Sequence, residues 1–276
     1  MNMSRFRRRN KLPMMERMNY ALRMDKTSLA AFIGLAILCT ASMAQTPTGS
    51  GWTGTVGAGP VVFPKYTGGT KLQSLVLPIA YVEYDDWFYV NLFRAGAYFW
   101  SSEDKKQGLG FAVEPRIGFN SGDGPRLAGM PTRRSALFGG LAYNAENDLG
   151  SMSLAYFTDL GNASHGGYVD LLFNRTLFKN QLWEVSGTFE LSRSDSKYAN
   201  YYFGVTPGEV TPARALYTLG ASTNVTLWLT GQYKFGRQYA LMFGANVTRL
   251  GASAAASPIV ERREVPFLYL GFGRNL

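Results

Sequence analysis

Between Leu216 and Leu250 the chain alternates apolar with small or polar residues almost without a break. Tyr217, Leu219, Ala221, Val225, Leu227, Leu229, Tyr233 and Phe235 share one parity. Thr218, Gly220, Ser222, Asn224, Thr226, Thr230, Gln232 and Lys234 share the other, with Trp228 the exception. After Gly236-Arg237 the pattern resumes, Tyr239, Leu241, Phe243, Ala245 and Val247 opposing Ala240, Met242, Gly244, Asn246 and Thr248. A period of two puts successive side chains on opposite faces of a strand. Sustained over about twenty residues, it far exceeds the roughly 5–6 of an ordinary strand. An apolar face backed by a small, polar one suits a sheet with hydrocarbon outside and water inside. A membrane-crossing strand needs roughly 9–11 such residues. The stretch predicts a hairpin of a transmembrane antiparallel β-barrel, turning at 236–237. Leu219, Val225, Leu227, Leu241 and Phe243 are expected to face lipid or its interface, and Asn224, Thr226 and Asn246 the interior.

Extended segments recur at 54–63, 74–84, 88–100, 108–119, 135–144, 150–158, 167–178, 181–192 and 266–274. With the organising pair they make eleven. Short turns at 85–86, 146–148, 179–180 and 236–237 should all face the periplasm. An even number of strands must then separate successive turns. The interval 87–145 holds three, so one strand is missing there, inside 87–100 or inside 120–134. Twelve strands are expected, with ten as the fallback. Pro115 cannot donate to a ladder and should sit at an edge, a bulge or the end of pairing. The glycines of 54–63 suit close packing in a barrel wall. A soluble β-sandwich would have shorter strands.

The 276 residues do not read as one folded unit. Residues 29–44, with an apolar core at 30–38, follow a basic stretch and end Ser42-Met43-Ala44. This is the pattern of a signal peptide cleaved before Gln45, and too short for a membrane helix. Arg5 to Arg23 extend it oddly far, and Met24 is the expected start of translation. Domains are therefore assigned as 1–44, leader, and 45–276, barrel. Residues 1–44 hold eight of the 28 Lys+Arg and two of the 19 Asp+Glu, so the formal +9 shrinks to about +3 in the remainder. Such a balance gives no reason to expect a nucleic-acid partner. Cys39 is the sole cysteine and leaves with the leader, so no disulfide or thiol chemistry is expected. The expected address is the outer membrane of a Gram-negative cell, with lipid as a partner.

Several motifs recur in a suggestive order: Pro64-Lys65-Tyr66-Thr67-Gly68; Arg133 ahead of Leu137-x-Gly139; His165-Gly166-Gly167; Tyr201-Tyr202-Phe203-Gly204-Val205 followed by Ala213-Arg214 and Tyr217; and Ser257-Pro258-Ile259-Val260. Together, over roughly 51–276, they resemble the MipA/OmpV family of outer-membrane proteins, named for MltA-interacting protein. The resemblance implies a barrel acting as an envelope scaffold that joins a lytic transglycosylase to a murein synthase. Other members are described as adhesins or solute pores. Members usually end in an aromatic residue, whereas this chain ends Arg274-Asn275-Leu276, which weakens the expected assembly signal.

Catalysis has little to stand on. His165 is the one histidine, and neither Ser164 nor Asn162 has a distinctive spacing from it, so it reads as a loop residue rather than a general base. No cluster of His, Cys or carboxylates suggests a metal, and the Gly122–Gly129 stretch lacks the strand–helix context of a phosphate loop. No catalytic, cofactor-binding or metal-binding residue is assigned, no cofactor is expected, and the protein is read as a non-enzyme. Glu114, Arg116, Asp170, Glu184, Glu190 and Lys234 fall on the interior parity. They either line a wet lumen and set solute preference or pair and fill a narrow barrel. Trp87, Phe88, Tyr89, Phe99, Trp100, Trp183 and Trp228 are candidates for interfacial girdles. The reading is an envelope scaffold, with a passive channel or an adhesin as alternatives.

Overall fold

Alternating strands with one apolar face hide all their backbone hydrogen bonds from lipid only by closing into a cylinder. In a computed structural model, which describes residues 51–85 and 87–276, twelve strands do so, each antiparallel to its sequence neighbours. They are β1 (Trp52–Pro64), β2 (Leu72–Tyr84), β3 (Phe88–Asn91), β4 (Arg94–Ser101), β5 (Gln107–Arg116) and β6 (Ala136–Asn147). β7 (Gly150–Asp159), β8 (Gly167–Lys179), β9 (Trp183–Ser194), β10 (Ser222–Phe235), β11 (Tyr239–Arg249) and β12 (Glu264–Asn275) complete the wall. The expected leader, residues 1–44, lies outside the described residues.

β1 closes on β12 along a glycine-rich seam. A Cβ added to Gly59 would stand 1.9 Å from the Leu270 carbonyl oxygen, so the two backbones approach as only glycine allows. The organising hairpin pairs Leu227 with Val247 and Thr226 with Thr248, whose hydroxyls meet at 2.9 Å. Leu227 is 56% exposed on the outer face and Thr226 only 4% on the inner one, as the alternation predicts.

The strand missing from the sequence count lies inside 87–100. There the chain reverses at Leu92-Phe93, pairing Asn91 with Arg94. Neither residue is a turn former, although Leu92 takes φ +54°, where glycine is usual. Burial offsets the strain: Leu92 is packed among Val61, Phe63, Ile79, Met242 and Tyr269, with Phe93 against the same cluster. This hairpin stops part-way up the barrel. β3 covers only Tyr81–Tyr84 of β2, and β4 ends its pairing with β5 at Ala95–Val113.

Some boundaries differ from those expected. β10 begins at Ser222, because the alternation of Leu216–Ala221 belongs to a folded loop. Leu219, expected at the lipid face, is 4% exposed and held by Asn200, which bonds its backbone N–H and carbonyl at 2.9 and 2.6 Å. β5 ends at Arg116, and Phe119 instead bridges to Arg133.

The turn between Tyr84 and Phe88 and those at 102–106, 148–149, 180–182 and 236–238 share one end of the barrel, the periplasmic end by their shortness. Aromatic pairs gather there: Trp52–Tyr84 at 4.9 Å, Trp183–Tyr233 at 4.7 Å, and Tyr239 stacked on Phe272 at 5.6 Å. Trp87, Phe99 and Trp100 are exposed beside them. Two girdle candidates are not in this belt: Tyr89 lies inside against Tyr98, and Trp228 points into the lumen.

Candidate functional site

The luminal charges are placed by strand parity and then joined by a residue the parity did not reveal. Arg94 opens β4 just past the Leu92-Phe93 turn. Its guanidinium contacts Glu114 of β5 at 2.7 Å and Asp170 of β8 at 2.6 Å. Arg116 reaches the other oxygen of Glu114 at 2.5 Å, and the Tyr168 hydroxyl donates to that same oxygen. Both cations also lie over rings: Arg94 4.9 Å from the Phe157 centroid, Arg116 4.7 Å from that of Tyr168. Glu190 accepts from the Trp228 indole N–H at 3.1 Å. Nearer the periplasm, Glu184 sits between Lys179 at 3.2 Å and Lys234 at 3.7 Å. All six charges expected inside are inside. The sequence missed Arg94 because its facing depends on a turn made of leucine and phenylalanine, which carries no turn signal.

The charges pair without filling the barrel. A luminal cavity of about 1230 Å³ remains. Its wall is polar along β9 to β11 (Ser186, Thr188, Asn224, Thr226, Asn246, Thr248) and apolar near the short hairpin.

The outer end is covered by the long loops. The 195–221 loop contains a helix, α1 (Ser196–Phe203), whose N-cap Asp195 accepts from Tyr198 N–H at 2.8 Å. The other Asp195 oxygen accepts from Gly167 N–H at 2.8 Å, pinning the helix to the start of β8. Ala199, Tyr202 and Phe203 are packed with Phe138, Phe157 and Tyr168 of the wall and with Leu219, Leu250 and Val260 of the loops. Arg133 donates to the Tyr201 carbonyl at 3.1 Å and pairs with Glu209 at 2.5 Å. Arg214 donates to the carbonyls of Glu209 and Arg126 at 2.8 Å and of Ala128 at 3.0 Å. The Tyr66 hydroxyl donates to the Ile259 carbonyl at 2.9 Å and Ser257 Oγ to that of Phe203 at 2.5 Å. Burial pushes the Glu209 carboxyl up, but the bonds from Thr206 and the charge of Arg133 outweigh it and hold the group below the usual range.

The motif residues singled out in the sequence thus meet in one cap. Tyr66, Arg133, Tyr201–Val205, Arg214, Tyr217 and Ser257–Val260 hold loops to one another across the mouth. No single motif disclosed its purpose in sequence, because the partners come from different loops.

The comparisons agree with this picture. A model of the family described as MltA-interacting protein MipA matches residues 56–275. The chain belongs to the MltA-interacting protein family. Among curated proteins, outer membrane protein Omp26La of Vibrio anguillarum is 35% identical over 71 residues, which is 26% of this chain and 28% of the relative. The matched part is thus little more than a quarter of that relative's length. The MltA-interacting protein family and the closed barrel put this protein in the outer membrane, with its apolar face in contact with lipid.

His165 is exposed, with its backbone in the left-handed region at φ +53°. Its neighbour Ser164 is buried, donating to Asp159 at 2.9 Å and accepting from Gly166 N–H at 3.2 Å. Both therefore serve the 160–166 turn. Among the described residues there is no group of three or more His, Cys, Asp or Glu able to hold a metal.

Proposed function

We propose that this protein is a non-enzymatic outer-membrane scaffold that holds murein-processing enzymes, a lytic transglycosylase and a murein synthase, at its periplasmic end. The observation that carries this reading is the cap. Loops braced by Arg133, the buried Arg214 and a tyrosine–carbonyl bond suit a closed outer mouth better than an open pore or a loose adhesive loop. The family's name, MltA-interacting protein, supplies the class of partner. The periplasmic end offers five exposed turns. Among them 102–106 stands out, with Glu103, Asp104, Lys105 and Lys106 exposed and the Asp104 carboxylate accepting from Ser102 at 2.6 Å and Lys106 N–H at 3.1 Å. Such a rigid, charged turn suits protein recognition.

The test is capture of purified lytic transglycosylase by the immobilised barrel. Replacing Asp104, Lys105, Lys106 and Arg237 by Ala should abolish capture, while deleting 197–212 should leave it intact. The reverse pattern, with loss of cell attachment on deletion, supports an adhesin. The residual cavity favours a passive channel as the second reading. It replaces the scaffold if the intact protein passes ions steadily in a planar bilayer, with a conductance altered by Lys234→Glu, and captures no enzyme.

A further inference from the structure

The short β3–β4 hairpin leaves a gap in the wall. Above Ala80, β2 has no partner on the hairpin side, and above Val113 neither has β5, among the described residues. The gap lies at membrane depth. Val76 pairs with Pro60 and Pro78 with Ala58, the middle residue of β1. Val76 itself is 77% exposed.

Open strand edges are tolerated at membrane depth only where they are buried in protein or line a water-filled cavity. Each edge also lacks one donor, at a proline. The Ala80 carbonyl accepts from Leu92 N–H at 2.8 Å, so the backbone groups of Ala80 point toward the hairpin. Two residues earlier, Pro78 points the same way, into the gap, and has no N–H. On the other edge, the Leu137 carbonyl accepts from Leu160 N–H at 3.0 Å and points away from β5. Its cross-strand partner Pro115 therefore also points away from β6, into the gap. A missing donor on each side opposes the docking of another strand. A second copy of this chain adding a strand is thereby disfavoured.

Barrel interiors are ordinarily polar. Behind this gap the interior is apolar on the β2 side, whereas Arg94, Glu114 and Arg116 line it on the β5 side. Leu75 and Leu77 of β2, Phe93 of the turn, Ile117 just past the end of β5, and Phe267 of β12 line the cavity there. Leu75, on the inward parity, is 41% exposed. Phe267 sits at the centre, 5.7 Å from Phe93 and 5.5 Å from Trp228. The polar wall and the Glu190–Trp228 bond lie deeper. The cavity exceeds the ~300–1,000 Å³ of common small-ligand sites.

We propose that the gap between β2 and β5 is a lateral doorway through which the hydrocarbon chain of a bilayer lipid enters the lumen and rests on Leu75, Leu77, Phe93, Ile117 and Phe267. A capped outer mouth, a proline on each edge and an interior apolar on the β2 side fit this occupant. Water would leave the leucines and phenylalanines wetted, and a strand would miss one donor on each edge.

Trp228 reports on it. The chain has five tryptophans, and Trp52, Trp87, Trp100 and Trp183 can be replaced by Phe. The single-Trp228 protein is refolded into phosphatidylcholine vesicles with plain or chain-brominated lipid. Entry of a chain should lower Trp228 emission by roughly half in brominated vesicles. Leu77→Arg, or Ile117→Arg on the opposite edge, should restore it in protein whose gel mobility still shifts on heating. Unquenched Trp228 in the folded parent overturns the proposal. So does equal quenching in parent and variant, since bromine would then be acting through the intact wall.

Discussion

Arg94 Nη2 stands 2.6 Å from Asp170 Oδ2, joining β4 to β8 across the lumen. Asp170 is fully buried, and the same guanidinium serves Glu114. Removing the cation would strip Asp170 of its ion-pair partner and leave Glu114 to Arg116 and Tyr168 alone. Arg94→Met should destabilise the barrel by about 3–5 kcal/mol in urea titrations in lipid. Adding Asp170→Asn should recover part of that loss. Full stability in the single variant would mean that the cluster is already solvated by the cavity.

The lipid face gives a second comparison. Leu227→Arg puts a charge into hydrocarbon and should cost on the order of 2–4 kcal/mol near mid-membrane. Thr226→Arg, one residue away but facing the cavity, should cost less. Equal penalties would argue for a register slipped by one residue, which exchanges the faces.

Leu92 sets two effects against each other. Its burial in the interior cluster stabilises the hairpin, while its φ of +54° strains it. Leu92→Ala should cost about 2–5 kcal/mol for the lost contacts and the cavity left behind. Leu92→Gly should cost less than Leu92→Ala, by about 1 kcal/mol, because glycine occupies positive φ freely. This inverts the usual order of the two residues within a strand. An alanine variant more stable than the glycine one would show that the turn relaxes on substitution.

The cap should loosen in acid. Glu209 is held below the usual carboxylate range by Thr206 and Arg133 against the cost of burial. The folded cap therefore binds its proton later than the unfolded loop. Its contribution is complete above the ordinary Glu pKa of about 4.3, declines as pH falls below that, and is gone once pH drops through the lowered value. Hydrogen exchange at 196–217, corrected for intrinsic rates, should show protection falling between neutral and acidic pH. Glu209→Gln should be less protected at neutral pH and flatter across the range.

Periodicity alone determined the barrel. Lipid outside and water inside force a period of two, so the faces of β5, β8, β9, β10 and β11 and the charges Glu114, Asp170, Glu190 and Lys234 could be assigned from the alternation. Strand parity even located the missing strand to within two segments. Tertiary structure decided whatever depends on contacts distant in sequence. The Leu92-Phe93 reversal is stabilised by burial against β1, β11 and β12 rather than by turn chemistry, so Arg94 and the gap beside it left no local mark. Leu219 continued the alternation yet belongs to the cap, because Asn200, nineteen residues away, captures its backbone. Tyr66, Arg133 and Arg214 stood out in sequence without a visible purpose. Their partners are carbonyls and carboxylates on other loops, which only closure of the barrel brings within hydrogen-bonding distance.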